Sequence, residues 1–145
     1  MKNITFPGKP KLCFATVCPG IVNRLINQVG IASSFSASGR PAGNIAEIKT
    51  YNALWDTGAT CSCISEKVVR DLNLPIISKQ EIKGATGAAT KNVHVVEIFL
   101  PNNLRIEKVK AICADINDFD VLIGMDIISL GDFIISNFNR QTYFT

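Results

Sequence analysis

The chain has 145 residues, of which 47% are hydrophobic and 19% are charged, a composition typical of one folded domain and not of a disordered segment. Its formal net charge of +3 is too small to indicate a nucleic-acid partner, and no run of basic residues favours a membrane surface. The most apolar stretch, residues 121–128, is too short to cross a bilayer. We therefore expect neither a nucleic acid nor a membrane as a partner.

The cysteines and the N-terminus both favour a cytoplasmic protein. Five cysteines are an odd number, which suits a secreted disulfide framework poorly. Residues 1–10 lack the apolar segment of a secretory signal. We therefore expect a reducing compartment.

The first part of the chain predicts an arm followed by a hairpin. Residues 1–26 contain several prolines and glycines and predict an N-terminal arm, with a weak strand signal at 12–17. Residues 27–35 alternate larger apolar residues with small or polar ones, which predicts a strand. After a loop rich in Ser, Ala and Gly, a second predicted strand at 45–55 leads directly to Asp56. The outgoing arm of this predicted hairpin therefore carries an aspartate.

The second part predicts short elements separated by turns. Ser65 is a good N-cap for a helix that ends at Leu72, shortly before Pro75. The pattern of apolar residues and turn residues then predicts several further elements. In order, they are a hairpin around residues 84–87, a strand at 104–114, an apolar strand at 121–123, a short helix at 125–130 and a terminal hairpin at 132–145. The predicted architecture is mainly β with two short helices.

Residues 52–60 contain the feature that points to chemistry. An apolar run ends at Asp56, and a carboxylate at the end of a buried strand is costly unless hydrogen bonds or a reaction require it. Gly58 lets a backbone N–H approach that carboxylate, because it has no Cβ, and Thr57 adds a hydroxyl. An ordinary Asx-type turn would also account for the triplet.

The chain resembles the retropepsin-like (retroviral-type) aspartic proteases over about residues 28–137. The resemblance rests on Leu-Trp-Asp-Thr-Gly-Ala at 54–59, Gly-Ala-Thr-Gly at 84–87 and Val-Leu-Ile-Gly-Met-Asp at 121–126. It implies a mainly β, closed-barrel acid protease fold with a flap hairpin and one or two short helices. Residues 27–145 would then form the protease domain, and residues 1–26 an N-terminal arm or a pro-segment.

The resemblance also implies aspartic endopeptidase activity on polypeptide substrates. Two carboxylates must lie close enough to share one proton, one acting as general base on a water and the other as general acid. The chain contains one Asp-Thr-Gly, so we expect the second carboxylate from a second copy of Asp56 in a homodimer. Asp56, Thr57 and Gly58 would be the catalytic residues, with Thr57 bonding across the two-fold axis.

By the same resemblance, the segment after the aspartate and the flap would bind substrate. No cofactor or metal is expected. The substrate-binding candidates are Ala59, Thr60, Cys61, Cys63, Gly84, Ala85, Thr86, Gly87 and Ile123.

Two residues depart from the retroviral pattern. Thr60 stands where those enzymes commonly have a second aspartate, and Met125 stands where an arginine commonly follows the glycine equivalent to Gly124. Because these two residues pair in the retroviral enzymes, this chain lacks both halves of the pair. Dimer stabilisation and binding of the substrate backbone are therefore expected to differ.

Other functions compete with proteolysis. A dimeric retropepsin-fold module that binds or scaffolds peptides is the main alternative, although an intact Asp-Thr-Gly argues against it. The sequence Cys61-Ser62-Cys63 predicts two thiols on one strand face, which could give redox sensitivity or simply pack a pocket. Two cysteines and the single His94 are too few for a zinc site, and no local signature pairs that histidine with a nucleophilic cysteine.

Overall fold

The computed structural model describes residues 14–34, 47–84 and 87–145. Two 3-10 turns, Pro101–Asn103 and Phe138–Arg140, interrupt otherwise extended chain. Among the described residues, no helix combines the length and apolar character needed to span a membrane. The strands are β1 (Thr16–Val17), β2 (Leu25–Ser33), β3 (Lys49–Trp55), β4 (Cys63–Ile64), β5 (Ser78–Gly84), β6 (Gly87–Leu100), β7 (Leu104–Cys113), β8 (Val121–Ile123), β9 (Ile135–Ser136) and β10 (Tyr143–Phe144), and the helices are α1 (Glu66–Asp71) and α2 (Met125–Ile128).

Six strands close into a barrel, as the resemblance implies for the fold. The order is β2-β3-β8-β4-β7-β6, and an additional antiparallel pairing of β2 with β6 closes the circle. Strand β5 extends the sheet outward from β6. The barrel interior is filled by fully buried β-branched side chains such as Ile31, Val96 and Ile98. The fold class predicted from the sequence is confirmed.

The hairpin that delivers the aspartate is also confirmed. Strands β2 and β3 pair antiparallel from Leu25 opposite Trp55 to Ile31 opposite Lys49. Because one face of this ladder is buried, register is tightly specified, and a slip of one residue would turn the buried side chains outward. The predicted return strand begins later than expected, at Lys49, and residues 35–46 lie outside the described part of the chain.

Helix α1 forms where predicted and is fixed to the barrel. The Ser65 hydroxyl accepts from the Val68 N–H at 3.4 Å, which confirms the N-cap. At the other end, the Asp71 carboxylate accepts from the Tyr51 hydroxyl at 3.2 Å and pairs with Lys67 at 3.1 Å. The helix is therefore capped at its start and tied to strand β3 at its end.

A small second sheet joins the two ends of the chain. Its strand order is β1-β10-β9, with Thr16 opposite Phe144 and Tyr143 opposite Ser136. The terminal hairpin predicted for residues 132–145 is confirmed. The weak strand signal near the N-terminus corresponds to β1, although residues 12–13 are outside the described residues.

Strand β8 lies parallel to β3. Gly124, directly after β8, lies very close to the backbone of Ala59 and Cys61. A Cβ placed on Gly124 would lie 2.8 Å from the backbone carbon and oxygen of Cys61 and 2.9 Å from the Ala59 carbonyl oxygen. Real Cβ atoms essentially never lie closer than 3.0 Å to such neighbours, and the neighbours here are backbone atoms. Only a residue without a side chain fits at this position.

Gly124→Ala is expected to lower the free energy of unfolding by about 1–3 kcal/mol or more, because overpacking here displaces backbone. Gly131→Ala is the matched control, since its added Cβ would meet nothing within 4 Å, and it should change stability by less than about 0.5 kcal/mol. Urea denaturation of both variants measures the difference. Equal stabilities would contradict the close contact.

Candidate active site

Asp56 follows directly after β3 and begins a tight turn. Its backbone N–H donates to the Ile123 carbonyl at 2.9 Å, and its own carbonyl accepts from the Ala59 N–H at 3.2 Å. The Gly58 N–H donates to Asp56 Oδ1 at 2.8 Å, as the sequence predicts. A Cβ on that glycine would sit 3.1 Å from the same oxygen. The turn therefore holds the carboxylate at a half-buried position, with exposed backbone on its outer side.

The segment after the turn bonds to the start of helix α2. The Ala59 carbonyl accepts from the Met125 N–H at 2.8 Å, and the Thr60 carbonyl accepts from the Asp126 N–H at 3.2 Å. Backbone groups thus make this connection although the side-chain pair of the retroviral enzymes is absent. The loop that follows Asp56 is consequently fixed by the chain that follows β8.

A buried serine strengthens the same connection. The Ser62 hydroxyl donates to Asp126 Oδ1 at 2.7 Å and accepts from the Gly124 N–H at 3.1 Å, and this serine is 1% exposed. Asp126 Oδ1 also accepts from the Ile127 N–H at 3.1 Å. Sequence reasoning missed both Ser62 and Asp126. The available signal was a polar residue inside an otherwise apolar segment, but its partner lies 64 residues away.

The strands beside Asp56 have one partly exposed face. Ile26 is opposite Leu54, Leu54 is opposite Leu122, and Leu122 is opposite Cys63. Cross-strand neighbours share a face, so these four side chains form a continuous row. Ile26 is 40% exposed and the other three are half-buried. We call this set the apolar row.

The opposite face of the same strands is core. Ala53, Val121 and Ile64 occupy neighbouring positions there and are all fully buried. Ile123 is fully buried as well and lies opposite Trp55. The structure thus places this predicted substrate-binding residue in the core, and Leu122 is the side chain of β8 that reaches the accessible face.

The two cysteines do not share a strand, so that prediction is wrong. Strand β4 begins only at Cys63, because the backbone around Cys61 packs on Gly124 and its neighbours bond to α2. The Cys63 thiol lies 3.8 Å from the Cys61 carbonyl oxygen. Burial raises the pKa of Cys63, and the nearby charges of Cys61, Asp126 and Asp56 raise it further. The Asp56 carboxylate therefore lies close enough to the Cys63 thiol to affect its pKa.

The other predicted site residues belong to the flap hairpin or the outer turn. Strands β5 and β6 pair from Ser78 opposite Val93 to Gly84 opposite Gly87, which confirms a hairpin. Ala85 and Thr86 at its tip lie outside the described residues, so their contact with substrate stays a prediction. Thr57 is exposed, as its predicted role across a dimer axis requires, and that role also stays a prediction.

His94 is a buried residue of strand β6. Its Nδ1 lies 2.9 Å from the Pro75 carbonyl oxygen, and the side chain is 1% exposed. Among the residues that the structure describes, no three His, Cys, Asp or Glu side chains group as a metal site. The position of His94 is that of a structural side chain.

Comparisons with known proteins agree with this geometry. A family model described as aspartyl protease matches residues 42–127. The EIAV protease in complex with the inhibitor HBY-793 is 23% identical over 74% of this chain and 86% of its own, with a TM-score of 0.50. A retropepsin-like aspartic protease from Rickettsia conorii is 11% identical over 91% of this chain and 99% of its own, with a TM-score of 0.56. No curated protein matches the chain in sequence. The structural likenesses show the retropepsin-like fold.

Alkylation of Cys63 by iodoacetamide should require a higher pH in the folded protein than in urea. A raised pKa means that less thiolate is present at any given pH, and only the thiolate reacts. The alkylation rate is followed by mass spectrometry as a function of pH. The midpoint of its increase should therefore lie above the ordinary cysteine pKa of about 8.5. Asp56→Asn and Asp126→Asn should each shift the profile to slightly lower pH. Coincident folded and unfolded profiles would contradict the assigned environment.

Proposed function

The chain belongs to the aspartyl protease family, and we propose that it is an endopeptidase in which two copies of Asp56 activate the attacking water. The observation that carries the proposal is the Asp56 turn itself. Gly58 fixes one carboxylate oxygen at 2.8 Å, and no donor among the described residues reaches the other oxygen, Oδ2. That oxygen is available to a water and to a second carboxylate.

Two copies are needed because the chain contains a single Asp-Thr-Gly turn, and the neighbouring aspartates Asp71 and Asp126 have other partners. Asp71 bonds to Tyr51 and Lys67, and Asp126 bonds to Ser62. Two carboxylates in contact cannot both ionise, so the pair would hold one proton and supply both the acid and the base. A two-fold axis beside Thr57 would bring the second Asp56 into place.

The apolar row supports peptides as substrates. Ile26, Leu54, Leu122 and Cys63 carry no charge, and they lie on the accessible face of the strands that flank Asp56. A substrate side chain seated there would lose water contact against apolar groups, which favours apolar residues beside the scissile bond. After the turn, the Ala59 N–H and carbonyl already bond to Asp56 and Met125, so the exposed Thr60 is the residue there that would meet the substrate chain.

A peptide-binding or scaffolding dimer without catalysis is the second candidate. It would use the same apolar row and would have no need of the Asp56 carboxylate. The effect of removing that charge therefore separates the two functions.

Asp56→Asn should abolish cleavage of a peptide library at mildly acidic pH, with a rate loss of at least about 10³-fold, because the amide cannot act as a general base. Asp118→Asn is the matched control, since it makes the same change in an exposed carboxylate whose described ion pair is with Arg24. Product peptides are measured by mass spectrometry. Cleavage that survives in Asp56→Asn removes this residue from the mechanism and favours the scaffolding function.

When Asp56→Asn chain replaces wild-type chain in a mixture, the activity should fall by more than the lost fraction of wild-type chain. If each active site needs two ionisable Asp56 side chains, mixed dimers are inactive, and the activity falls with the square of the wild-type fraction. A titration at constant total chain measures the exponent. A linear decrease would show that one copy carries a complete site.

A further inference from the structure

Trp55 connects the catalytic turn to the sheet formed by the chain ends. It is the last residue of β3, directly before Asp56, and it is 8% exposed. Its ring stacks on Phe133 with centroids 5.1 Å apart and an interplanar angle of 20°. Phe14 packs at 5.7 Å, and Phe144 meets the indole edge-on at 6.5 Å. Rings from both ends of the chain therefore surround the residue that precedes the carboxylate.

Two hydrogen bonds fix the orientation of this indole. Trp55 Nε1 donates to Asn27 Oδ1 at 2.9 Å, and Asn27 Nδ2 donates to the Thr16 hydroxyl at 2.7 Å. Thr16 is itself paired with Phe144 in the terminal sheet. Packing alone would allow the ring to slide in its plane, whereas the two bonds set one position.

The N-terminal segment is also tied along strand β10. The Cys18 N–H donates to the Thr142 carbonyl at 2.8 Å, and the Thr142 N–H donates to the Gly20 carbonyl at 3.0 Å. The Val22 N–H donates to the Thr142 hydroxyl at 3.1 Å, and the Thr145 hydroxyl donates to the Phe14 carbonyl. Residues 14–22 are thus integrated into the fold that supports the site.

We propose that Trp55 is a positioning residue for Asp56, set by the Asn27–Thr16 relay, and that residues 14–22 belong to the active enzyme and are not a removable pro-segment. This inference rests on the proposed protease function. The backbone of Trp55 continues directly into Asp56, so a shift of the indole is transmitted to the carboxylate. A misplacement of about 1 Å can cost about 10²-fold in rate.

Thr16→Val tests the relay because it removes one hydroxyl at nearly constant volume. We expect kcat to fall about tenfold with KM changed by less than about twofold, since the substrate-binding row is untouched. Thr16→Ser should restore kcat. Fluorescence of Trp55, the single tryptophan, should change in Thr16→Val and recover in Thr16→Ser. Rates are compared at a chain concentration at which sedimentation shows the wild-type oligomeric state.

Thr142→Val is the matched control in the same sheet. It removes a buried hydroxyl that bonds to Asn137 at 2.7 Å and to the Val22 N–H, but that hydroxyl is not part of the relay. It should lower the thermal midpoint at least as much as Thr16→Val and leave kcat within about twofold. If both variants reduce kcat equally at equal loss of stability, the relay is merely structural and the positioning role is overturned.

N-terminal sequencing of the active protein tests whether residues 14–22 belong to the active enzyme. The active species should retain residues 14–22, and a fully active form that begins after Val22 would overturn the proposal. Asp56→Asn, assayed alongside, separates a failure of the protease function from a failure of the positioning role. If wild type shows no cleavage that depends on Asp56, the protease function fails and the positioning role fails with it. If such cleavage is present and Thr16→Val is indistinguishable from wild type, only the positioning role fails.

Discussion

The backbone that follows Asp56 lies against Gly124, with no room for a side chain between them. This contact allows the Ala59 and Thr60 carbonyls to accept from the first N–H groups of helix α2. It also lets the Asp56 N–H reach the carbonyl of Ile123, the residue before the glycine. The position of the carboxylate thus follows from one close approach between two segments far apart in sequence.

Around that contact, the central strands divide the molecule into a core face and an accessible face. The core face carries fully buried side chains such as Ala53 and Val121, and its burial supplies most of the driving force for folding. The accessible face carries the apolar row, whose side chains are only partly buried within the chain. Asp56 stands at the end of strand β3, which contributes side chains to both faces.

Local signals predicted much of this arrangement. The hairpin before Asp56 and the cap at Ser65 each depend on neighbours within a few positions. The chemistry of the Asp-Thr-Gly turn was equally local, and the Gly58 N–H lies where it was expected.

Other features depend on pairings that no local pattern contains. All residues of strand β8 are apolar, so no alternation of apolar and polar side chains shows whether Leu122 or Ile123 faces outward. The Ser62–Asp126 bond spans 64 residues, and the rings around Trp55 come from both ends of the chain. Only the closed barrel and the terminal sheet bring these residues together.

The central claim is that one chain holds half of an active site. Initial cleavage rate over a dilution series, with sedimentation velocity on the same samples, tests it most directly. The account predicts that the rate per chain follows the dimer fraction, so that the total rate becomes second order in chain at low concentration. A constant rate per chain across a range in which the protein sediments as a monomer would contradict it.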